Sequence, residues 1–226
     1  MARAFGTLRS LTYGAIVAAR NAAIAILVLS GAAQAETVTI AALGDSLTQG
    51  YGLIEQEGFV PQMQAWLRDQ GADVEIINAG VSGDTTAGGL SRVDWTLTPE
   101  VDAMIVALGG NDMLRGIAPE VVRANLDGIM QAAAEADTPV LLVGMEAPGN
   151  YGPDYKAAFD SIYADLAESH DSLLFDNFFA GIMSDDLSRA RSRFMQPDGI
   201  HPNADGVKRI VSAMGPAVLD LVARAD

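Results

Sequence analysis

The sequence contains no cysteine and only two histidines among its 226 residues. The lack of cysteine excludes disulfides, thiolate–zinc sites and cysteine nucleophiles, and it leaves the redox compartment open. A metal site built on several histidines is disfavoured, because His170 and His201 are the only imidazoles in the chain. Any mechanism that needs an imidazole base must therefore use one of these two residues.

Basic residues are also scarce in this chain. Fourteen lysines and arginines stand against 29 aspartates and glutamates, which gives a formal charge of −15. Phosphate backbones and anionic membrane surfaces attract basic proteins, so this charge disfavours binding to nucleic acid or to a membrane surface. Half of the residues are hydrophobic and 19% are charged, a composition that excludes a disordered chain and supplies a packed core.

Residues 1–35 have the features of a bacterial export signal. They contain three arginines and no acid, followed by the apolar run Ala22–Ser30 and by Ala33-Gln34-Ala35, a small-x-small signal peptidase pattern. The charge-free stretch from Asn21 to Ala35 is shorter than the ~20 residues that span a bilayer, which disfavours the alternative of an uncleaved anchor. We therefore expect cleavage after Ala35, no stable membrane insertion, and a periplasmic or secreted mature domain at residues 36–226.

Apolar strands alternate with amphipathic helices along the rest of the chain. Short apolar runs predict strands at Val38–Leu43, Val74–Ile77, Val101–Leu108, Val140–Met145 and Leu173–Phe175. Helical spacing predicts helices at Phe59–Leu67, Thr85–Thr96, Val122–Ala133, Ala158–Leu166 and Ile210–Val222, the last kinked at Gly215-Pro216. This order predicts one α/β domain, a three-layer α/β/α sandwich around a mostly parallel sheet of about five strands. Such folds bind ligands at the carboxyl ends of their strands.

Polar or glycine-rich segments follow the first three predicted strands. Gly44-Asp45-Ser46-Leu47 places a serine on a tight strand-to-helix turn, where unpaired N–H groups and the helix dipole favour a developing oxyanion. Taken alone, this segment fits an ordinary serine N-cap better. The glycines of residues 78–85 let backbone amides approach a ligand, and Asn111 follows Gly109-Gly110 on a loop from which its amide can reach a negative oxygen. Each of the last two segments also fits an ordinary loop.

An aspartate stands three residues before a histidine in the segment Asp198-Gly199-Ile200-His201-Pro202. A carboxylate at this spacing can orient an imidazole ring and stabilise its charged form. A solvated surface histidine is the alternative. His170 has a simple explanation as a cation at a helix C-terminus, so His201 is the expected base of any serine mechanism.

These segments together resemble the four sequence blocks of the SGNH (GDSL) hydrolase family. The blocks are Gly44-Asp45-Ser46-Leu47, Gly83 within Ser82-Gly83-Asp84, Gly109-Gly110-Asn111-Asp112 and Asp198-Gly199-Ile200-His201-Pro202. The likeness is closest to the bacterial periplasmic thioesterase I, lysophospholipase and arylesterase branch, and it extends to residues 113–116 and 147–152. The resemblance implies a flavodoxin-like sheet and the hydrolysis of carboxylic esters or thioesters, with no metal and no organic cofactor.

The resemblance also implies a role for each residue of the expected site. Ser46 would be the nucleophile, His201 the base and Asp198 the acid that orients it. The backbone N–H groups of Ser46 and Gly83 and the side chain of Asn111 would form the oxyanion hole. Residues 113–118 would form a mobile loop over an acyl groove, whose expected contacts are Met113, Leu114, Pro148 and Tyr151. Core packing explains these apolar residue types equally well.

Other functions remain open on the sequence alone. A carbohydrate acetylesterase would use the same scaffold, with an open cleft and exposed aromatic side chains in place of a narrow apolar groove. A non-catalytic binding protein is disfavoured by the full set of reactive residues, and a metal phosphoesterase on Asp45, Asp112 and Asp198 is disfavoured by the scarcity of histidine. We interpret Asp45 and Asp112 as residues that shape their turns. The expected partner is a small-molecule or lipid ester, and the expected state is a monomer.

Overall fold

The computed structural model describes residues 37–183 and 192–225, so the predicted export signal lies outside the described residues. The strands are β1 (Val38–Gly44), β2 (Val74–Gly80), β3 (Ala103–Ala107), β4 (Val140–Val143) and β5 (Leu173–Phe175). The α-helices are α1 (Ser46–Gln49), α2 (Phe59–Asp69), α3 (Thr86–Thr96), α4 (Gly110–Leu114), α5 (Pro119–Glu135), α6 (Pro153–Ser169) and α7 (Ala204–Ala225). Short 3₁₀ turns occupy Glu55–Glu57 and Gly149–Tyr151.

The five strands form one parallel sheet in the order β2-β1-β3-β4-β5. The first strand, β1, therefore lies second from one edge. The next strand, β2, forms that edge, and β3, β4 and β5 follow in order towards the opposite edge. Because parallel crossovers are right-handed, this reversal sends helices to both faces of the sheet. Helix α2 packs against α7, while α5 packs against both α3 and α6. The α/β fold with a five-stranded, flavodoxin-like sheet is confirmed, and the sheet is parallel throughout.

The core lies around the three central strands. Every residue of β3 and β4 is buried, and β1 is buried except at Thr39, because helices cover both faces of the sheet there. The edge strand β2 instead alternates between buried and exposed residues, and it ends in the glycine-containing loop. Burial of each large aliphatic side chain stabilises the folded state by about 1.5–3 kcal/mol. The central strands are therefore a stable support for the segments that follow their carboxyl ends.

The strand and helix boundaries differ from the predicted ones for local reasons. β2 continues to Gly80 because its whole length pairs in register with β1, up to Gly44 opposite Gly80. Helix α4 was not predicted, and the helix expected at the turn of Ser46 is only the four residues of α1, since elements of four or five residues are too short to display a hydrophobic repeat. Asn111 consequently lies in the first turn of α4 rather than on a loop.

Helix α7 continues through Pro216, and the kink expected at Gly215-Pro216 stays a prediction. Gly215, which precedes Pro216, has a packing role, because a Cβ atom added there would clash with the ring of Trp66 on α2. The glycine therefore allows α2 and α7 to approach closely. This contact joins α2 to α7, the helix that directly follows the segment carrying His201.

Candidate active site

The carboxyl ends of the first three strands meet side by side. In the sheet register Gly44 at the end of β1 lies between Gly80 of β2 and Ala107 of β3. The segments that follow these strands carry Ser46, Gly83 and Asn111. Strand pairing therefore gathers at one edge three residues that are up to 65 positions apart in the sequence (46 to 111).

Ser46 is the first residue of α1, and the residue before it provides the cap. The Oδ1 atom of Asp45 accepts a hydrogen bond of 2.9 Å from the N–H of Leu47. The simple alternative of Ser46 as an N-cap is therefore wrong, because Asp45 occupies that position. Within the described residues the N–H of Ser46 has no hydrogen-bond acceptor, as is usual for the first turn of a helix.

The Ser46 hydroxyl, the His201 ring and the Asp198 carboxylate form a continuous hydrogen-bonded chain. Nε2 of His201 lies 2.8 Å from Oγ of Ser46, and Nδ1 lies 2.7 Å from Oδ2 of Asp198. Oδ1 of Asp198 also accepts hydrogen bonds from the N–H groups of Ile200 and His201, at 2.9 and 3.0 Å. The hydrogen bond with the His201 ring, followed by these backbone bonds, lowers the pKa of Asp198 to about 2. Asp198 is thus charged at neutral pH and holds a proton on Nδ1.

Gln196 braces the loop that carries Asp198 and His201. Its backbone N–H donates to the carbonyl of His201 at 2.7 Å, and its Nε2 donates to the carbonyl of Pro202 at 3.0 Å. The same Nε2 also donates to the carbonyl of Tyr51 at 2.8 Å, which ties this loop to the segment after α1. Sequence reasoning missed Gln196, since a glutamine outside the four blocks gives no signal of its own.

Two further donors face the site from the segments after β2 and β3. Gly83 has a φ of +80°, and within the described residues its N–H has no hydrogen-bond acceptor. The guanidinium of Arg115 donates to the carbonyl of Gly83 at 2.8 Å and so helps to hold Gly83 in place. Nδ2 of Asn111 donates one hydrogen to Oδ2 of Asp45 at 3.1 Å, and its second hydrogen is left for a ligand.

Asp45 is buried, with 2% of its surface exposed, although it borders the cavity of the site. Burial raises the pKa of Asp45 to about 6, while the hydrogen bonds from Leu47 and Asn111 act in the opposite direction. Its carboxylate therefore does more than shape a turn, because it also orients the amide of Asn111.

Asp112 connects the elements that carry Asn111 and Gly83. This fully buried residue accepts two hydrogen bonds from Thr86, from the backbone N–H at 2.8 Å and from the hydroxyl at 2.6 Å. Thr86 begins α3, directly after the Gly83 loop, and Asn125 of α5 donates to its hydroxyl at 3.1 Å. The interpretation of Asp112 as a structural residue agrees with these contacts, which reach well beyond its own turn.

Arg92 holds the ends of the strands beneath the site. Its guanidinium donates to the carbonyls of Gly44 and Ala79, at 2.9 and 2.8 Å, and pairs with Asp84 at 2.8 Å. These bonds tie the ends of β1 and β2 together, and the Gly44 carbonyl also accepts a hydrogen bond from the N–H of Val81 at 3.0 Å. The sequence offered no cue to this role, because Arg92 lies in the middle of α3.

A cavity of about 550 Å³ opens at the Ser46 hydroxyl. Its polar lining consists of Asp45, Ser46, Ser82, Asn111 and His201, and most of its remaining wall is apolar. The apolar lining consists of Leu47, Met113, Leu114, Met145, Phe179, Ile182, Met183, Met195 and Ile200, together with the ring of Tyr51. A cavity of this volume and character suits an apolar small molecule or acyl chain.

The four expected groove residues divide into two pairs. Met113 and Leu114 line the cavity, but Pro148 and Tyr151 do not belong to its lining. Tyr151 instead supports the wall from behind, since its hydroxyl donates to the carbonyl of Leu114 at 3.3 Å. The far wall at residues 179–183 and 195 was missed, because apolar residues distant in sequence from the four blocks resemble ordinary core residues.

The second histidine serves the scaffold. His170 follows α6 as its C-cap, and its Nε2 lies 2.7 Å from Oδ1 of Asp127 on α5. In the part of the chain that the structure describes, no group of three or more histidines, aspartates or glutamates is placed to hold a metal ion. The carboxylates considered for a metal site are each engaged elsewhere, Asp45 with Asn111, Asp112 with Thr86, and Asp198 with His201.

Comparison with known proteins shows the family to which this sequence belongs. The family described as "GDSL-like Lipase/Acylhydrolase family" matches residues 42–209. The chain belongs to this family.

Individual GDSL relatives match over nearly their whole length. The esterase TesA of Pseudomonas aeruginosa is 36% identical over 200 residues, which cover 88% of this chain and 96% of the relative. A protein of Escherichia coli K12 named thioesterase 1/protease 1/lysophospholipase L1 is 35% identical, over 87% and 90% of the two chains. The crystal structure of AlinE4, an SGNH-hydrolase family esterase, superposes with a TM-score of 0.67 at 42% identity, over 83% and 98%. The expected SGNH (GDSL) membership is confirmed.

Proposed function

We propose that the protein is a serine hydrolase that cleaves carboxylic esters through an acyl-enzyme. The observation that carries this proposal is the hydrogen-bonded chain from Ser46 to His201 to Asp198, with links of 2.8 and 2.7 Å. As Ser46 Oγ attacks the carbonyl carbon, its proton passes to Nε2 of His201. Asp198 holds Nδ1–H and stabilises the imidazolium that results.

The oxyanion is stabilised by three donors that converge beside Ser46. They are the N–H groups of Ser46 and Gly83 and the free hydrogen on Nδ2 of Asn111. Two features support this assignment: both N–H groups lack an acceptor among the described residues, and Asp45 fixes the Asn111 amide at 3.1 Å. One such donor typically contributes about 2.7–4 kcal/mol to the stabilisation of the transition state.

Collapse of the first tetrahedral intermediate breaks the bond between the carbonyl carbon and the leaving oxygen. The imidazolium of His201 gives its proton to that oxygen, and the alcohol departs. Water then attacks the acyl-enzyme while His201 again accepts a proton, and the carboxylic acid is released with Ser46 restored. Every proton in this cycle moves between Ser46, His201, substrate and water, so the steps balance without a cofactor.

The lining of the cavity favours an acyl chain over a sugar as the bound part of the substrate. Its wall is built largely of methionine, leucine, isoleucine and phenylalanine side chains, which offer few hydrogen bonds to the hydroxyl groups of a carbohydrate. We therefore place aryl esters, short-chain esters and lysophospholipids ahead of acetylated sugars, and we include acyl thioesters because their carbonyl presents the same geometry to Ser46.

Labelling of the nucleophile tests this proposal directly. Purified residues 36–226 should hydrolyse p-nitrophenyl butyrate, and a fluorophosphonate should form one adduct, on Ser46. Ser46→Ala should lose both properties. Ser82→Ala is the matched control, because Ser82 lines the same cavity but its hydroxyl donates to Gln49 at 2.9 Å and makes no contact with His201. This variant should retain the label, as should wild-type protein treated with EDTA.

Two outcomes would reject the mechanism. Hydrolysis that persists in Ser46→Ala would show that another group attacks the ester. Loss of wild-type hydrolysis in EDTA, with recovery on addition of a divalent cation, would show a metal-dependent reaction.

We further propose that the chain is exported and acts outside the cytoplasm after removal of residues 1–35. The basic, acid-free N-terminus and Ala33-Gln34-Ala35 support this proposal. Among residues 37–183 and 192–225, no helix is both long and apolar enough to cross a bilayer. Expression of the full chain in a Gram-negative host should yield a periplasmic protein whose N-terminus, determined by mass spectrometry, is Glu36. Ala35→Arg should block processing, and recovery of uncleaved wild-type protein in the cytoplasm would contradict the proposal.

A further inference from the structure

Tyr51 is an aromatic side chain at the site that the proposed mechanism does not use. It lies five residues after Ser46, its ring lines the cavity, and 52% of its surface is exposed. The centroid of its ring lies 4.6 Å from that of His201, with 38° between the two planes. Within the described residues the Tyr51 hydroxyl makes no hydrogen bond. The contact between Tyr51 and the site is therefore the one that its aromatic ring makes with His201.

The backbone on both sides of Tyr51 holds this ring in place. Its N–H donates to the carbonyl of Ser46 at 3.1 Å, and its own carbonyl accepts from Gln196 at 2.8 Å. The flanking Gly50 and Gly52 have φ values of +89° and +76°, which only glycine adopts without strain. Ser46 and the loop of His201 thus fix the two ends of this turn, so the backbone that carries the ring is held in place beside the site.

The chemistry of ester cleavage decides which part of a substrate would meet this ring. During acylation the leaving oxygen receives the proton carried on Nε2 of His201, so that oxygen lies within about 3 Å of Nε2. A substituent attached to that oxygen is therefore close to the side chain that packs on the imidazole, which among the described residues is the ring of Tyr51. The acyl carbon, by contrast, is held at Ser46 Oγ and by the donors of Gly83 and Asn111.

We propose that Tyr51 is a specificity-determining residue for the leaving group, a platform on which an aryl or other planar alcohol stacks during acylation. This inference rests on the proposed serine esterase function. Offset or edge-to-face aromatic pairs with centroids 4.5–7 Å apart are favourable, and a half-exposed ring leaves one face for such a partner. Once the alcohol has left, water occupies its place, so the ring contributes to acylation and not to deacylation.

The test compares two esters that share one acyl group. Phenyl acetate and ethyl acetate form the same acetyl-enzyme, so kcat/KM isolates the acylation step with an aryl or an alkyl leaving group. In Tyr51→Leu the ratio of kcat/KM for phenyl acetate to that for ethyl acetate should fall by about 3- to 10-fold, the range expected of one aromatic pair. Tyr51→Phe and Tyr51→Trp should restore the ratio, because both retain a ring.

The deacylation rate separates this proposal from a purely positional role. If Tyr51 acts on the leaving group, stopped-flow kinetics with p-nitrophenyl acetate should show slower acylation and an unchanged breakdown of the acetyl-enzyme. His201 is needed in both steps, so a residue that only positioned its ring would slow both steps and both esters alike. Trp95→Ala is the matched control, since it removes an aromatic side chain that is 86% exposed and does not line the cavity.

Equal losses for the two esters, or no change in either, would overturn the role of Tyr51 while leaving the serine mechanism intact. Failure of the underlying function gives a different result, namely that Ser46→Ala retains activity or that wild-type protein cleaves neither ester. Tyr51→Phe guards against misfolding as an explanation, because it removes only a hydroxyl that has no partner among the described residues. Thermal melting of each variant checks that the fold is preserved.

Discussion

Replacement of His201 by alanine is expected to lower kcat for p-nitrophenyl acetate by roughly 10⁴- to 10⁶-fold. The imidazole is the only base within hydrogen-bond distance of Ser46 Oγ among the described residues, at 2.8 Å. Without it the hydroxyl keeps its proton during attack, and no group protonates the leaving oxygen. The activity that remains comes from binding and from the oxyanion donors, which His201→Ala leaves in place.

The double variant Ser46→Ala/His201→Ala should lose scarcely more than either single variant. Nucleophile and base act as one unit, so removal of either already abolishes the covalent route. His170→Ala is the matched control, because it removes the other imidazole, which pairs with Asp127 instead of a serine. Its kcat should be unchanged even if its melting temperature falls. Additive losses in the double variant would mean that Ser46 and His201 do not work in one step.

Removal of the amide at Asn111 is expected to lower kcat by about 10²- to 10³-fold, the usual effect of losing one oxyanion donor. Asp45→Asn should lower kcat by about 10-fold through the same amide. A carboxamide at position 45 has one acceptor oxygen, so its NH₂ group must face one of the two groups that now donate to Asp45. These donors are the N–H of Leu47 and Nδ2 of Asn111, which now donate to the two carboxylate oxygens of Asp45. The arrangement that keeps the Leu47 bond turns the NH₂ group towards Nδ2 of Asn111 and releases the Asn111 amide from its present orientation, whereas the other arrangement keeps the Asn111 bond and loses that of Leu47.

A double-mutant cycle measures this coupling. If Asp45 acts through Asn111, then Asn111→Ala should cost far less in the Asp45→Asn background than in the wild type. Fully additive losses in kcat would show that Asp45 affects catalysis by another route. Asp112→Asn is the comparison variant, because the carboxylate of Asp112 accepts its hydrogen bonds from Thr86 and not from the Asn111 side chain.

The pH dependence of stability separates the catalytic effect of Asp45 from a structural one. Its pKa is about 6 in the folded protein against 3.8 for an unperturbed aspartate, so the folded state binds more protons between these values. The contribution of Asp45 to the free energy of unfolding therefore declines as pH rises from about 4 to about 6, by about 3 kcal/mol in total. Asp45→Asn should remove this decline, and at pH 8 it should melt no lower than wild type. A large loss of stability at pH 8 would contradict the burial cost assigned to the carboxylate.

Much of the site was predictable because the sequence order of a parallel sheet determines what its strand ends can carry. Apolar runs gave the five strands, and the segments after β1, β2 and β3 supplied Ser46, Gly83 and Asn111. The pair Asp198 and His201 was visible from its three-residue spacing, and the count of two histidines left few choices for a base. The helix of Asn111 escaped prediction, because five residues cannot display a periodic pattern.

The supporting residues could not be predicted, since each acts through contacts that sequence distance conceals. Arg92 reaches carbonyls at the ends of two strands, and Gln196 joins the His201 loop to Tyr51 across 145 positions. Tyr151 illustrates the opposite error: its place beside a recognisable segment suggested a cavity residue, yet it supports Leu114 from behind. A side chain's direction depends on packing, which the local sequence does not encode.

The sequence by itself determined the fold class and the family, and it supplied the candidate reactive groups, because these depend on residue type, order and short spacings. Only the tertiary structure decided which donors remain unpaired, which carboxylate is buried, and which ring faces His201. Those properties arise where segments from different strands meet. The hydrogen bonds and pKa shifts of these groups depend on interatomic distances and on the exclusion of water. Both are set only when the folded sheet brings the segments together.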